Sequence, residues 1–184
     1  MDGSAVSDFD AFYRRYADRI YNVVLRIIGD AEEALDALQQ AFMRAYRSWN
    51  RFREASSRYT WVYRIALNCA YTHLKRMRRL REHAPASLDA AVEKPPAASV
   101  SGGADVVREA SRREVNVLVQ QAILRLPEEI RAPLVLRDID GLSYNEIAEI
   151  IECPVGTVKS RVHRAREMLK GALEQVLDRE FVAE

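Results

Sequence analysis

The chain has 184 residues, of which 30% are charged and 48% are hydrophobic, with a net charge of +1. It is too apolar for a disordered protein, and no apolar run approaches the ~20 residues that are needed to cross a bilayer. The N-terminus lacks the basic start and the apolar stretch of a secretory signal. The two cysteines and three histidines indicate neither a disulfide framework nor a zinc site. We expect a cytoplasmic protein of one or two small domains, without cofactor, metal or membrane insertion.

The charges are distributed in alternating blocks. Residues 44–81 carry eleven basic side chains and one acidic side chain, and residues 157–171 carry five and one. Between them, residues 82–156 carry seven basic and thirteen acidic side chains. Two basic blocks separated by acidic sequence indicate two separate contacts with a polyanion, and they exclude a uniformly basic surface.

Three helices are predicted in the first half. The first covers residues 8–28 and ends at Gly29. Its predicted core residues, at spacings of three and four, are Phe9, Phe12, Tyr13, Tyr16, Ile20, Val23, Val24 and Ile27. Asp30 and Glu33 resemble a capping box for the second helix. That helix is expected to place on one face Leu35, Leu38, Phe42 and Tyr46. A polar loop at 51–57 leads into a long third helix that ends near residue 81.

The composition changes after the third helix. Residues 82–105 contain three prolines, a Gly-Gly pair and no apolar period, which predicts a flexible linker. An amphipathic helix over 106–126 follows, with its apolar side formed by Val115, Leu118, Val119, Ile123 and Leu126. Pro127 suits the first turn of the next helix, which Pro133 should kink or shift and Gly141 should end. The chain is predicted to be all-α, with two small helical domains joined by a flexible linker.

The C-terminal domain carries the more specific motif. Ser143 and Glu146 form a capping box for a short helix, and the turn 152–156 leads into a long helix over 157–177. A short capped helix, a tight turn and a basic second helix are typical of a helix-turn-helix, whose second helix enters the major groove. The alternative interpretation is a solvated helical hairpin.

The last helix has one apolar face and one polar face. The residues expected to pack inward are Val158, Val162, Ala165 and Leu169. The residues left pointing outward are Lys159, Ser160, His163, Arg164 and Glu167. Lysine and arginine donate to guanine acceptors or to phosphates, and Thr157 is placed to cap the helix where its dipole favours a phosphate.

The third helix carries the second functional pattern. One stripe is expected to face the core and consists of Val62, Ile65, Ala66, Cys69, His73 and Met77. The opposite side, with Trp61 at its edge, carries Arg64, Asn68, Tyr71, Lys75 and Arg78. Aromatic, amide and cationic groups together suit single-stranded nucleic acid, because rings stack on bases while cations follow the backbone. The alternative is an ordinary basic surface whose aromatic rings pack against a neighbouring helix.

The sequence shows no constellation of catalytic groups. Cys69 and His73 lie on the apolar stripe of the third helix and are expected to be packed in the core. Cys153 lies in a turn without a second metal ligand nearby. We find no Ser/His/Asp grouping and no phosphate-binding loop, so the chain is not expected to be an enzyme.

Three segments resemble the bacterial sigma factors of the extracytoplasmic-function group. LPEEIRAPLVLRDIDGLSYNEIAEIIECPVGTVKSRVHRARE (126–167) resembles the fourth conserved region of the family. DALQQAFMRAYR (36–47) resembles its D-x-x-Q-x-x-F stretch, and TWVYRIALNCAYTHLKR (60–76) resembles its W-L-Y-R-I-A-x-N stretch. The resemblance leaves only the linker and the two termini unmatched.

The resemblance implies a promoter-specificity subunit that recruits core RNA polymerase and helps to open DNA. It implies a region 2-like domain at 1–81, a linker at 82–105 and a region 4-like domain at 106–184. Polymerase would be bound around Asp36, Gln39, Arg44 and Arg47. The melted minus-ten element would be bound by the loop 51–57 and by Trp61, Arg64, Asn68, Tyr71 and Lys75. The duplex minus-thirty-five element would be contacted by Thr157, Lys159, Ser160, Arg161, His163 and Arg164.

The same resemblance implies an anti-sigma protein as a further partner. Thr72 departs from the aspartate that many members carry there, so the minus-ten preferences of the family are not transferred to this chain. Two other functions remain open from the sequence. A free-standing helix-turn-helix regulator would bind duplex DNA as a dimer, and an RNA-binding adaptor would use the basic third helix.

Overall fold

The computed structural model describes residues 3–52, 57–83 and 103–182. These ranges contain helices and turns but no strand, which confirms the all-α class. The helices are α1 (Gly3–Ile28), α2 (Ala31–Ser48), α3 (Arg58–His83), α4 (Gly103–Arg125), α5 (Glu128–Leu134), α6 (Tyr144–Ile151) and α7 (Val155–Val182). A 3₁₀ turn (Trp49–Arg51) follows α2, and a π-helical turn (Val135–Ile139) follows α5. None of the described helices is long and apolar enough to cross a membrane.

Both ends of the predicted linker are helical. α3 continues to His83 and α4 begins at Gly103, so only residues 84–102 separate the two helical units. Those nineteen residues lie outside the described part of the chain, as do residues 53–56 of the predicted loop 51–57.

The first helical unit consists of α1, α2 and α3 around a shared core. The face of α2 that packs closely against the other two helices is formed by small residues, namely Ala34, Ala37, Ala41 and Ala45. The ring of Phe9 on α1 packs edge-on against Phe42 and Trp49, at centroid distances of 6.2 and 5.1 Å. Small residues on α2 therefore allow the helices to approach, and aromatic rings fill one end of the unit.

Two residues predicted to lie in this core do not. Leu35 is 48% exposed, and it lies about 115° around the helix from the centre of the buried alanines of α2. Tyr13 is 45% exposed at the edge of the unit, with its ring against that of Phe42.

The start of α2 has a simpler cap than predicted. Asp30 accepts a hydrogen bond from the backbone N–H of Glu33 at 2.9 Å, as an N-cap residue does. The Glu33 carboxylate instead contacts His73 on α3. Asp30 is therefore an N-cap, and Glu33 links α2 to α3 rather than completing a capping box.

The second helical unit, α4–α7, contains a proline-induced irregularity. Pro127 is the N-cap of α5, and Pro133 lies inside that helix without shifting its start. Proline lacks an N–H, and the helix widens just after Pro133 into a π turn in which the Asp140 N–H bonds the carbonyl of Val135. Gly141, with φ +74°, ends this segment as predicted. Val115, in the middle of α4, is 58% exposed rather than packed.

The two units pack against each other and share one core. Gly29, which ends α1 with φ +88°, receives the side chain of Leu124 from α4, so closely that a Cβ at position 29 would lie 2.5 Å from Leu124 Cδ1. Arg131 on α5 donates to the carbonyl of Ile27 at 2.8 Å and also to two carbonyls of its own unit. Its burial lowers the pKa of Arg131. Side chains of α4 and α5 in the second unit thus contact the C-terminal end of α1.

Candidate nucleic-acid interfaces

α6 and α7 form the predicted helix-turn-helix. Ser143 accepts from the N–H of Glu146 at 3.2 Å and the Glu146 carboxylate accepts from the N–H of Ser143 at 2.8 Å, so the capping box is complete. These bonds lower the pKa of Glu146. Glu152, with φ +54°, ends α6, and Pro154 precedes the first residue of α7. The turn has the local interactions that its sequence predicts.

The faces of α7 are separated as its spacing predicts. Val158, Val162 and Ala165 are buried, and Leu169 packs at the edge of the core. The exposed side chains are Lys159, Ser160, His163, Arg164 and Glu167. Cationic and hydrogen-bonding groups therefore project together from the first three turns, which is the arrangement that a major groove requires.

Two members of the predicted duplex-binding set, Thr157 and Arg161, are half-buried. Thr157 does not cap the helix, because α7 begins at Val155 and the Thr157 N–H already bonds the carbonyl of Pro154 at 2.9 Å. Arg161 is half-buried beside the turn, with Nη1 3.9 Å from Cys153 Sγ. The exposed part of the predicted duplex-binding set is therefore limited to Lys159, Ser160, His163 and Arg164.

The predicted single-strand face of α3 is divided between solvent and protein. Asn68 and Lys75 are exposed. Trp61 is half-buried, with its ring 5.3 Å from that of Phe52 and 6.2 Å from that of Trp49. The predicted core stripe is largely correct, since it buries Val62, Ala66, Cys69 and His73.

Arg64 and Tyr71 of that face contact the second unit. Arg64 donates to the carbonyl of Glu149 at 2.7 Å and forms an ion pair with Glu152, also at 2.7 Å. The Tyr71 hydroxyl donates to the carbonyl of Glu128 at 3.2 Å, and burial raises the pKa of Tyr71 to about 12. The structure thus brings acidic residues of the second unit against the basic third helix.

Asp140 is the most enclosed of these acidic contacts. Its carboxylate accepts from Arg19 Nε at 2.6 Å and from the Tyr63 and Tyr59 hydroxyls at 2.8 and 3.3 Å. Its side chain is 4% exposed, and the three side chains that bond it belong to α1 and α3. Burial raises the pKa of both tyrosines, that of Tyr59 to about 12, so they remain proton donors at neutral pH.

The predicted polymerase-binding residues form an exposed strip on α2. All four of them are exposed: Asp36, Gln39, Arg44 and Arg47. Leu35 and Met43 are also exposed, by 48% and 52%, on the same side of the helix. Exposed apolar side chains beside polar ones are typical of protein-binding surfaces.

Comparison with known proteins identifies the family. Residues 12–80 match the model for sigma-70 region 2, and residues 116–169 match the model for sigma-70 region 4. The RNA polymerase sigma-H factor of Pseudomonas aeruginosa is 39% identical over 176 residues, which cover 92% of this chain and 88% of that protein. The ECF RNA polymerase sigma-E factor of Escherichia coli K12 is 38% identical over 187 residues, covering 93% and 89%. The chain belongs to the ECF sigma factors.

The two family models coincide with the two helical units of this sigma factor. The region 2 model covers most of α1, all of α2 and nearly all of α3, and the region 4 model covers α4 from residue 116 to residue 169 in α7. Members of this family are transcription initiation factors that direct RNA polymerase to promoters and are not themselves enzymes. The fold and function implied by the sequence resemblance are confirmed.

Solved structures share the fold of the chain. The sigma factor RpoE of Bartonella quintana, in complex with the anti-sigma factor NepR, has a TM-score of 0.71 at 23% identity and covers 91% of this chain and 97% of its own. CnrH, in complex with the cytosolic domain of CnrY, has a TM-score of 0.62 at 20% identity, with coverages of 91% and 88%. At these identities the likeness concerns the fold alone.

Among the described residues, the sigma factor has no group of three or more His, Cys, Asp or Glu side chains arranged to hold a metal. Cys69 is buried in the core and Cys153 is half-buried in the turn before α7, and neither is in a disulfide. His73 is buried and contacts Glu33, so it is a packed histidine.

Sequence inspection missed the residues that join the two units. Asp140, Arg131, Tyr59 and Tyr63 received no role, although each makes or supports a contact between the units. The only available signal was indirect, namely the acidic block 82–156 that follows the basic block 44–81. Its charges pair in part with α1 and α3 within the same molecule.

Proposed function

We propose that this ECF sigma factor divides promoter recognition between its two helical units. Residues 1–81 bind core RNA polymerase and the melted minus-ten element, residues 106–184 bind the duplex minus-thirty-five element, and residues 82–105 connect them. The observation that carries this division is the pair of cationic surfaces on separate units, one on α3 and one on α7. We propose that the sigma factor acts in the cytoplasm, together with RNA polymerase.

The duplex contact is assigned to the exposed face of α7. Lys159 and Arg164 supply cations for guanine edges or phosphates, and Ser160 and His163 supply further hydrogen bonds. Arg161 and Thr157, which are half-buried near the turn, are placed to contact the backbone phosphates rather than base edges. The preference for the promoter sequence would then come from the exposed side chains Lys159, Ser160, His163 and Arg164.

The single-strand contact is assigned to α3. Asn68 can read a base edge through two hydrogen bonds, Lys75 can follow the backbone, and Trp61 and Tyr71 offer rings for stacking. Binding of the opened strand offsets part of the free energy needed to melt the duplex, so this surface contributes to promoter opening.

Polymerase binding is assigned to the exposed strip of α2. Asp36, Gln39, Arg44 and Arg47 provide its polar contacts, and the exposed Leu35 and Met43 add apolar area that a partner can bury. An anti-sigma protein is a further proposed partner, supported by two solved structures of the same fold, one of which is in complex with an anti-sigma factor.

The deciding experiment is transcription by core RNA polymerase from a genomic promoter library with variants of each surface. We expect Arg164→Ala to lose most promoter recruitment, whereas Lys170→Ala, farther along the exposed side of α7, keeps it. We expect Asn68→Ala to bind polymerase and recruit promoters but to form fewer open complexes, whereas Asn22→Ala on the exposed side of α1 behaves as wild type. If both Arg164→Ala and Asn68→Ala fail at the same step, the division of labour is wrong.

A further inference from the structure

Tyr144, the first residue of α6, lies among three cationic side chains. Arg137 of the π turn places its guanidinium over the Tyr144 ring, with Cζ 4.6 Å from the ring centroid. Lys159, near the start of α7, places its Nζ 5.8 Å from the same centroid. Farther along α7, Asp138 and to a smaller extent Tyr144 raise the pKa of Arg166. Because the face of an aromatic ring is negative and attracts cations, the π turn, α6 and α7 meet at this ring.

The ring of Tyr144 is held in place by its own unit. It is half-buried and packs against the core. Arg137 is also half-buried, and its Nη1 donates to the carbonyl of Leu142 at 2.8 Å, which anchors the stacked guanidinium to the backbone just before α6. The capping box of Ser143 and Glu146 orders the first turn of α6, to which Tyr144 belongs. The ring is therefore a fixed feature against which another side chain can be ordered.

Of the three cations, Lys159 belongs to the exposed face of α7 to which the proposed function assigns duplex DNA. Arg166 is paired with Asp138 through hydrogen bonds of 2.9 and 2.5 Å, and Arg137 is bonded to the backbone. The Lys159 ammonium, in contrast, ends a flexible stem that must be ordered before it can donate to a chosen base. Contact with a fixed ring reduces this entropy cost, because it limits the directions in which the stem can point.

We propose that Tyr144 is a positioning residue for duplex recognition, which holds the Lys159 ammonium where it can reach a base edge instead of leaving it free to move among the phosphates. This inference rests on the proposed function and adds a residue that sets its base preference. Tyr144 acts through Lys159, so it needs no contact of its own with DNA. Loss of the ring therefore weakens discrimination between bases but not the general attraction of α7 for DNA, which depends on charge.

The test is a double-substitution cycle of Tyr144→Leu and Lys159→Met, measured by fluorescence anisotropy with labelled duplexes. The probes are the consensus minus-thirty-five duplex recovered from the promoter library, the duplexes that differ from it by one base pair, and a scrambled duplex. Tyr144→Leu removes the ring and keeps an apolar side chain, and Lys159→Met removes the ammonium and keeps the stem. Tyr13→Leu is the matched control, since it removes an exposed tyrosine ring from α1 in the other unit.

The expected loss concerns one base position. A wrong base pair at the position that Lys159 contacts should cost the wild type about tenfold in affinity. In Tyr144→Leu this ratio should fall to about threefold, a loss of the size that a cation–π contact at an exposed site supplies. Lys159→Met should lose discrimination at the same position, and adding Tyr144→Leu to it should change nothing further.

General DNA binding should be preserved in the same variant. The affinity of Tyr144→Leu for the scrambled duplex should stay within about twofold of wild type, with the same salt dependence, because the number of phosphate contacts does not change. Tyr13→Leu should match wild type on every probe. A residue that only supports the fold would weaken binding to all probes alike, so the contrast between probes separates positioning from packing.

Two ring variants separate the π-system of Tyr144 from its shape. Tyr144→Phe keeps the negative face of the ring and should discriminate between bases as the wild type does. A trifluorinated phenylalanine at position 144 keeps that shape but withdraws electron density from the ring face, so it should behave like Tyr144→Leu. This comparison decides the proposal if circular dichroism shows that Tyr144→Leu is unfolded, because both variants retain an aromatic ring in the same packing.

Three outcomes would overturn the role of Tyr144. If the effects of Tyr144→Leu and Lys159→Met multiply in the double variant, Tyr144 does not act through Lys159. If the fluorinated ring discriminates as Tyr144→Phe does, the ring only packs. If Tyr144→Leu weakens the scrambled duplex as much as the consensus duplex, its effect is not on base preference. A wild type without preference for the consensus over the scrambled duplex would instead contradict the proposed duplex surface, and the inference with it, so the two failures are distinguishable.

Discussion

The two helices to which we assign DNA contacts, α3 and α7, differ in what surrounds their polar faces. α7 has a buried side within its own unit and an exposed cationic side. α3 is buried on one side by its own unit and is contacted on part of its polar side by the other unit. A helix-turn-helix folds as a local motif and keeps its DNA face free, whereas a helix in the middle of the chain has a face that a later segment can occupy. Substitutions at the contact between the units measure how firmly that face is held.

The largest expected effect comes from the contact between Gly29 and Leu124. Gly29→Ala places a methyl group 2.5 Å from Leu124 Cδ1 and also strains a left-handed backbone with φ +88°. We expect it to lower the free energy of unfolding by about 2 kcal/mol, as the sum of backbone strain and the displacement of the Leu124 methyl groups, which are the flexible end of a half-buried side chain. Urea denaturation followed by circular dichroism measures this loss.

Gly141→Ala is the control, because Gly141 has φ +74° and a Cβ added there would meet nothing within 4 Å. It should lower stability by about 1 kcal/mol through strain alone. Equal losses for the two variants would show that the Leu124 side chain moves aside from the added methyl group at little cost.

The sequence predicted what depends on neighbouring residues along the chain. The capping box of Ser143 and Glu146 and the end of the π segment at Gly141 were found because each is determined by the local backbone and a few side chains. The buried face of α7 was found for the same reason, since one helical period determines it. These features position the surface to which we assign the duplex contact.

The sequence did not predict what depends on residues far apart. The contact between Arg19 and Asp140 joins positions 121 residues apart, and no local pattern marks either side chain. Leu35 was placed on one face with Leu38, Phe42 and Tyr46, although Leu35 is exposed and the alanines of α2 are buried. Arg64 and Tyr71 were assigned to the polar face of α3, and their contacts with the second unit became visible only in the structure.

A smaller effect is expected in the alkaline titration of the tyrosines. Burial raises the pKa of Tyr59 and of Tyr71 from 10 to about 12. Because a raised tyrosine pKa stabilises the state that keeps the proton, this contribution is complete below pH 10 and is lost as the pH rises through about 12. We expect the contact between the two units to weaken over that interval, with Arg19, Tyr63 and the Asp140 carboxylate as the neighbouring charged and titratable groups of Tyr59.

Phenolate absorbance measures this titration directly. In the wild type, Tyr59 and Tyr71 should titrate about two pH units later than exposed tyrosines, and in Asp140→Asn they should approach ordinary values. A Tyr59→Phe/Tyr71→Phe variant identifies their part of the signal. Late titration that persists in Asp140→Asn would mean that the units remain together without the Asp140 charge.

The smallest expected effect concerns the capping box of Ser143 and Glu146 at the start of α6. Ser143→Ala removes one half of the capping box and should lower stability by about 1 kcal/mol.

The hydrogen bonds of Ser143 lower the pKa of Glu146. The stabilisation from Glu146 is therefore fully present above the ordinary pKa of a glutamate, and it is lost as the pH falls through the lowered pKa of the folded state. In urea denaturation, the free energy of unfolding of Glu146→Gln should therefore fall less at acid pH than that of the wild type. Glu149→Gln, on the same helix, should show the same fall as the wild type.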